Sequence, residues 1–224
     1  QSAFSAPPAS PPIGTVSAGT TALTVNSGQT VTRAAGNFGL VTVNGTLRLS
    51  GGLYQFQNLV MGNDGVLQPT APSIVRVAGR VTGGDRVRLL PAAPLNASAL
   101  RLIVAGANDS NGGVTLGGNA QVAALVVSRA SFRTGDRFTG SGAIAASNVS
   151  FGFDARYTFN TGFSCNSNAG CDDNNPCSTD TCVDAQCLHT NVANGTACPD
   201  DGNACTNDRC TNGACVHPAR ANGR

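Results

Sequence analysis

GGNAQVAALVVSRASFRTGDRFTGSGAIAASNVSFGFD, residues 117–154, carries the pattern that decides the fold. Within it Gly117-Gly118-Asn119, Thr134-Gly135-Asp136 and Gly152-Phe153-Asp154 each follow a β-prone stretch, and Asn119, Asp136 and Asp154 lie 17 and 18 residues apart. Upstream, Gly83-Gly84-Asp85, Gly62-Asn63-Asp64 and Asn44-Gly45 repeat the group, at intervals of 34, 21 and 20 residues from Asn119 back to Asn44. Turn chemistry that returns in one phase at such a period predicts the coils of a solenoid; hairpins of a sandwich would bring turns back every ~8–12 residues. Asn44, Asp64, Asp85, Asn119, Asp136 and Asp154 are the expected corner positions, because a corner between sheet faces needs positive φ, which Gly, Asn and Asp tolerate best. The long interval contains Pro91, Pro94 and Asn96 and is expected to hold a full coil plus a bulging loop.

Around these corners the runs Leu23 to Val25, Leu40 to Val43, Thr46 to Leu49, Leu53 to Phe56, Ile74 to Val77, Leu100 to Val104 and Val122 to Val127 read as strands, with further strand signals at Phe132, Ile144 and Val149 to Phe151. Alternation such as Leu47-Arg48-Leu49 and Val87-Arg88-Leu89 gives one buried and one wet face. Composition agrees: all 14 basic residues are Arg and all 12 acidic residues Asp, so Lys and Glu, which favour exposed helix, are missing. The expected class is all-β, a parallel β-helix body followed by a small disulfide-rich tandem repeat. At 41% hydrophobic the chain is too apolar for a disordered one, yet it lacks the roughly 18-residue apolar run of a membrane span.

The chain divides by composition into a Pro-rich extended segment (1–20), the solenoid body (21–164) and a cysteine-rich region (165–224). Eleven Arg and five Asp precede Cys165, whereas three Arg and seven Asp follow Ser164, so a basic body adjoins an acidic tail. Residues 1–20 carry Pro7, Pro8, Pro11 and Pro12 and have no core of their own, so they should be ordered by lying against something, here expected to be a neighbouring subunit.

All nine cysteines fall in the last region: Cys165, then Cys171, Cys177, Cys182 and Cys187 with His189, then Cys198, Cys205, Cys210 and Cys215 with His217. The two sets are offset by 27 or 28 residues and define repeats 171–197 and 198–224. Such density points to disulfides and hence to an extracellular or cell-surface location, reached after removal of a signal peptide. Each repeat is too small to fold on apolar burial alone, and four cysteines allow three pairings that spacing does not distinguish. Cys165 makes the total odd, to be balanced within the first repeat, by another chain, or by a cysteine beyond Arg224. Asn222-Gly223 repeats the Asn194-Gly195 that precedes Cys198, so further repeats are expected there.

CDDNNPCSTDTC (171–182) and CPDDGNACTNDRC (198–210) resemble the slime-mould-type cysteine-rich repeat, also found in myxobacterial surface proteins. TGSGAIAASNVSFGFDARYTFNTGF (139–163) resembles the aromatic end of bacterial secreted Gly-rich β-helix modules. These resemblances imply an extracellular stalk or spacer array on a solenoid, and no enzyme.

Residue chemistry narrows function further. Both histidines sit at one repeat position and the body has none, which leaves no Ser-His-Asp or Cys-His constellation. Disulfides explain the cysteines better than zinc, whose usual pairs are C-x2-C. Asp172, Asp173, Asp200, Asp201 and Asp208, with Asn175 and Asn203, offer hard oxygen ligands on turns and make calcium the one cofactor to consider, against the plainer reading as solvated turn acids. Stacked Asp64, Asp85, Asp136 and Asp154 would bring carboxylates together as a glycosidase requires, but each is already explained by its turn. Arg76, Arg80, Arg86 and Arg88 fall at even spacing and read as a strip for an anionic ligand such as an extracellular polysaccharide. With only two Tyr and nine Phe, nucleic acid is not an expected partner. The chain therefore reads as a secreted, non-enzymatic structural protein whose solenoids join head to tail into a filament or surface layer. The alternative is a monomeric adhesin or carbohydrate-binding module on a cysteine-rich stalk.

Overall fold

The computed structural model describes residues 12–106, 113–159, 165, 167–184 and 186–220. It divides into two compact units, Gln1–Phe163 and Ser164–Arg224, within one residue of the boundary expected from composition. The first is a parallel β-solenoid of about 7 turns, with sixteen strands among its described residues joined in one hydrogen-bonded sheet.

Three parallel ladders make up the solenoid, because each coil places an apolar residue directly over its counterpart in the coil before. In the first ladder Leu23, Val41, Leu59, Val81, Val114, Phe132 and Val149 stack in register. In the second, Val31, Leu47, Leu67, Leu89, Val122, Gly140 and Tyr157 do so. In the third, Tyr54, Val75, Leu102, Val126 and Ile144 do. Most of these side chains are fully buried in one continuous core. Strands such as Gly52–Met61 and Gln121–Ser128 bend from one ladder into the next.

At Gly140 a β-carbon would meet the ring of Tyr157, so the missing side chain makes room for the last coil. There Phe138, Phe151 and Tyr157 stack, with centroids 5.3 to 6.0 Å apart. Burial pushes the Tyr157 hydroxyl up to about 12.

The long interval holds a full coil plus residues that bulge outside it, as expected. Val81 pairs directly with Val114 and Leu89 with Val122. A parallel ladder requires only in-register neighbours, so extra residues are carried outside it, partly as the 3-10 turn Ala97–Ala99, which packs on Gln121–Ser128. The strand Leu100–Val104 is consequently buried on both sides, which its unbroken apolar run from Leu102 reflects.

Residues 12–20 also lie against this body. Ser17 N donates to Gln55 Oε1 at 2.7 Å, Arg76 Nη1 donates to Thr15 O at 3.2 Å, and Arg129 Nη2 donates to Ile13 O at 3.1 Å. The segment thus crosses successive coils of its own solenoid, and Ile13 is buried. Docking on a neighbouring subunit does not describe this half of the Pro-rich segment; residues 1–11, with Pro7, Pro8 and Pro11, lie outside the described residues.

The second unit contains two antiparallel hairpins, Ser178–Val183 with Gln186–Asn191 and Arg209–Thr211 with Ala214–Val216. Asn212 and Gly213 turn the second with φ of 51° and 80°, the two-residue turn whose twist suits a hairpin. No helix among the described residues is long and apolar enough to cross a membrane, and four disulfides staple the unit.

Candidate functional site

The predicted corner positions do line one edge of the solenoid, but in two columns. Asp64, Arg86, Asn119, Arg137 and Asp154 occupy one, all with φ between 55° and 62°. Asn63, Asp85, Gly118, Asp136 and Phe153 occupy the other, one residue earlier. Positive φ therefore falls on Arg86 and Arg137 rather than on Asp85 and Asp136, and Asn44, which lies under Gly62 outside both columns, does not have it either, a correction to the expectation that every corner Asp or Asn needs it. In the second column the side chains bond along the axis: Asn63 Oδ1 accepts from Asp85 N at 2.9 Å, Asp85 Oδ1 from Gly118 N at 2.8 Å, and Asp136 Oδ1 from Phe153 N at 2.7 Å.

The corner glycines follow from this. A β-carbon on Gly84 would overlap Asn63 Oδ1, one on Gly117 would overlap Asp85 Oδ1, and one on Gly62 would overlap Asn44 Oδ1. They permit close approach of the side chain from the preceding coil. Asn63, missed because Asp64 beside it was taken as the corner residue, was marked by the same directly preceding Gly as Asp85 and Asp136.

Asp85, Gly118, Asn119, Gly135, Asp136, Arg137 and Phe153 line an open cleft of about 480 Å³. Its carboxylates, Asp85 and Asp136, stand two coils apart, ~9.6 Å at the usual ~4.8 Å strand spacing, with Gly118 between them. The four body aspartates do not form the expected stack: Asp64 faces Arg86 on the adjacent coil, with Nε and Nη2 each donating to a carboxylate oxygen at 2.9 Å. That guanidinium holds the Asp64 carboxyl below its ordinary range. The pair is exposed and contributes little to stability.

The four arginines expected to form one strip are separated. Arg76 is in the third ladder under residues 12–20, Arg80 begins a strand of the first, Arg86 is at the corner and Arg88 is exposed on the second. Even spacing along the sequence does not keep residues on one face once the chain turns a corner between them.

In the cysteine-rich unit the acids also separate. Asp172 Oδ1 caps Asn174 N at 2.8 Å and Asp200 Oδ1 caps Gly202 N at 2.7 Å, whereas Asp173 joins Asp180 and His189, and Asp201 joins Asp208 and His217. His189 Nδ1 lies 2.8 Å from Asp180 Oδ1, and His217 Nδ1 lies 2.7 Å from Asp208 Oδ1. These bonds raise both imidazoles above their ordinary value of 6.5.

Two carboxylates and an imidazole are a mixed nitrogen-oxygen set, unlike the six to eight oxygens of a calcium shell. Asp173 Oδ1 already accepts from Asn175 N and Ser178 Oγ, and Asp201 Oδ1 from Asn203 N and Thr206 Oγ1. The five acids expected to bind calcium thus do not converge on one point: Asp172, Asp173, Asp200 and Asp201 cap turns, and only Asp201 and Asp208 meet, beside His217. Asp180 was legible as the residue 28 before Asp208.

The disulfides are Cys165–Cys182, Cys171–Cys187, Cys177–Cys210 and Cys198–Cys215, leaving Cys205 exposed and free. Cys165 is paired inside the unit, so the unmatched cysteine is a different one. Pairing is also not confined within repeats, since Cys177 and Cys210 join the two. No protein-family model matches the chain, nor does any curated protein or solved structure.

Proposed function

We propose that this chain is a secreted structural protein whose solenoids join end to end, with the disulfide-rich unit as a robust extracellular appendage. The observation that carries this reading is the last coil. Among the described residues its strands Val149–Ser150 and Arg156–Phe159 each pair on one side only, and Val149, Phe153 and Phe159 are exposed, the last two at 83% and 71%. The first coil likewise pairs Leu23–Val25 and Thr30–Arg33 on one side. Parallel strands with open N–H and C=O groups at both ends can continue the same ladder into another copy, and a non-closing contact of this kind propagates. Four disulfides fit an oxidising, extracellular setting.

The test is sedimentation of the full chain over a wide concentration range beside a Phe153→Asp, Phe159→Asp double variant. Growth of the wild type into linear multimers that the variant does not form is the expected result. A wild type that stays monomeric throughout overturns the reading.

A second reading, a monomeric adhesin or carbohydrate-binding module, draws on residues 12–20 lying in cis and on the cleft where Phe153 adjoins Asp136 and Arg137. An exposed ring beside carboxylate and guanidinium groups suits a sugar's apolar face and hydroxyls. Glycan-array binding by the monomer, lost in Phe153→Ala, would favour it.

A further inference from the structure

The unpaired cysteine acquires a meaning when the two repeats are superposed by their 28-residue offset. The first and fourth cysteines pair within each repeat, as Cys171–Cys187 and Cys198–Cys215. The third pairs backwards: Cys210 of the second repeat joins Cys177, the second cysteine of the repeat before it, and Cys182 of the first joins Cys165. Cys165 thus stands where a preceding repeat would supply its second cysteine. Cys205 is the equivalent of Cys177 and is left free, because Cys198, Cys210 and Cys215 of its repeat are paired elsewhere.

The surroundings of Cys177 show what such a site holds. Asn175 Nδ2 donates to Gly213 O of the second repeat at 2.9 Å, while Asn175 Oδ1 accepts from Cys177 N at 3.0 Å and Val192 N donates to Cys177 O at 3.0 Å. The same preparation surrounds Cys205. Asn203 Oδ1 accepts from Cys205 N at 3.0 Å, and Arg220 N donates to Cys205 O at 2.8 Å.

We infer that Cys205, with Asn203 beside it, is the docking position for a further repeat of the same kind, joined through that repeat's third cysteine. In the joining step each thiol loses a proton and one S–S bond forms. The two electrons pass to a low-molecular-weight disulfide, which leaves as two thiols. The surface is thus a covalent extension point, independent of the solenoid ends.

The test uses the full chain and a synthetic peptide of sequence 198–224 with its Cys198–Cys215 bond preformed and Cys205→Ser, so that Cys210 is its one free thiol. A control peptide carries Cys210→Ser and keeps Cys205. In a glutathione redox buffer the chain's Cys205 should take the first peptide over the control by roughly tenfold. Asn203→Asp in the chain, which keeps the oxygen that caps Cys205 N and removes the amide donor, should reduce that preference. Equal capture of both peptides, a dominant glutathione adduct or a dominant Cys205–Cys205 dimer overturns the inference. So does a peptide map of the chain that lacks the Cys177–Cys210 bond. Failure here leaves end-to-end solenoid association untouched, because no terminal-coil residue takes part.

Discussion

The solenoid and the cysteine-rich unit solve one problem, how to hold a chain of short strands and many turns, by opposite means. In the solenoid the described interior is a column of Val, Leu, Phe and Tyr repeated coil by coil. In the second unit every buried residue in the hydrophobic class, among the described residues, is a cysteine, and Leu188 is 54% exposed. A coil that stacks on its neighbour shares apolar surface with it, so stability grows along the array. A repeat of 28 residues with no such face must instead have the freedom of its unfolded chain reduced by cross-links. Burial and cross-linking are thus segregated in sequence, which makes them separately testable.

The largest expected effect is from reduction. Treatment with a phosphine reductant at neutral pH should abolish amide protection across residues 165–220, since each lost disulfide costs about 2–5 kcal/mol, while residues 23–159 keep theirs in hydrogen exchange. Simultaneous loss in both units would break the comparison. Next is Phe132→Ala, which empties a fully buried site where Phe132 meets Phe138 and Phe151 at 6.0 and 6.2 Å. Denaturant unfolding of the solenoid should show a loss of about 3–5 kcal/mol, with the disulfide-rich unit resisting proteolysis as before.

Smaller changes sharpen the picture of the corner. Gly84→Ala should cost about 1–3 kcal/mol by driving a methyl into Asn63 Oδ1, and Asn63→Ala about 1 kcal/mol through the lost bond to Asp85 N. In the double variant the two losses should add to less than their sum, because removing the amide makes room for the methyl. Strict additivity would mean that Gly84 is there for some other reason.

The smallest effect is a pH dependence confined to the repeats. His189 is raised by its bond to Asp180, so its contribution is present below its unfolded value of 6.5 and is lost as pH rises through the folded one. Asp180 is lowered, chiefly by the same bond, so its contribution is present above 3.8 and is lost as pH falls through its folded value. The pair therefore stabilises most between roughly pH 4 and pH 6.5. Thermal melts of the oxidised protein should show a shallow maximum there, flattened by combining His189→Gln with His217→Gln; an unchanged profile would exclude these pairs as its source.

The strands legible in advance were those with apolar runs or clean alternation, such as Leu23–Val25, Thr46–Leu49 and Leu100–Val104. Thr30–Arg33, with Val31 as its one apolar residue, and Gly113–Leu116, which opens on a glycine, escaped notice because each has little signal apart from the coil it pairs with. The corner Asp and Asn positions were readable from their period, but the column each occupies was not. A shift of one residue, as between Asp64 and Asp85, is invisible until coils are laid in register. The arginines misled for the same reason: Arg76 and Arg88 belong to different ladders.

From the sequence alone came the solenoid, its approximate period, the boundary with the cysteine-rich unit and the tandem repeat, because periodic chemistry and composition are properties of a line of residues. Tertiary structure decided that residues 12–20 lie on their own body and that Cys205 rather than Cys165 is left over. Each of those depends on which distant residues become neighbours, and spacing constrains such pairings without choosing among them.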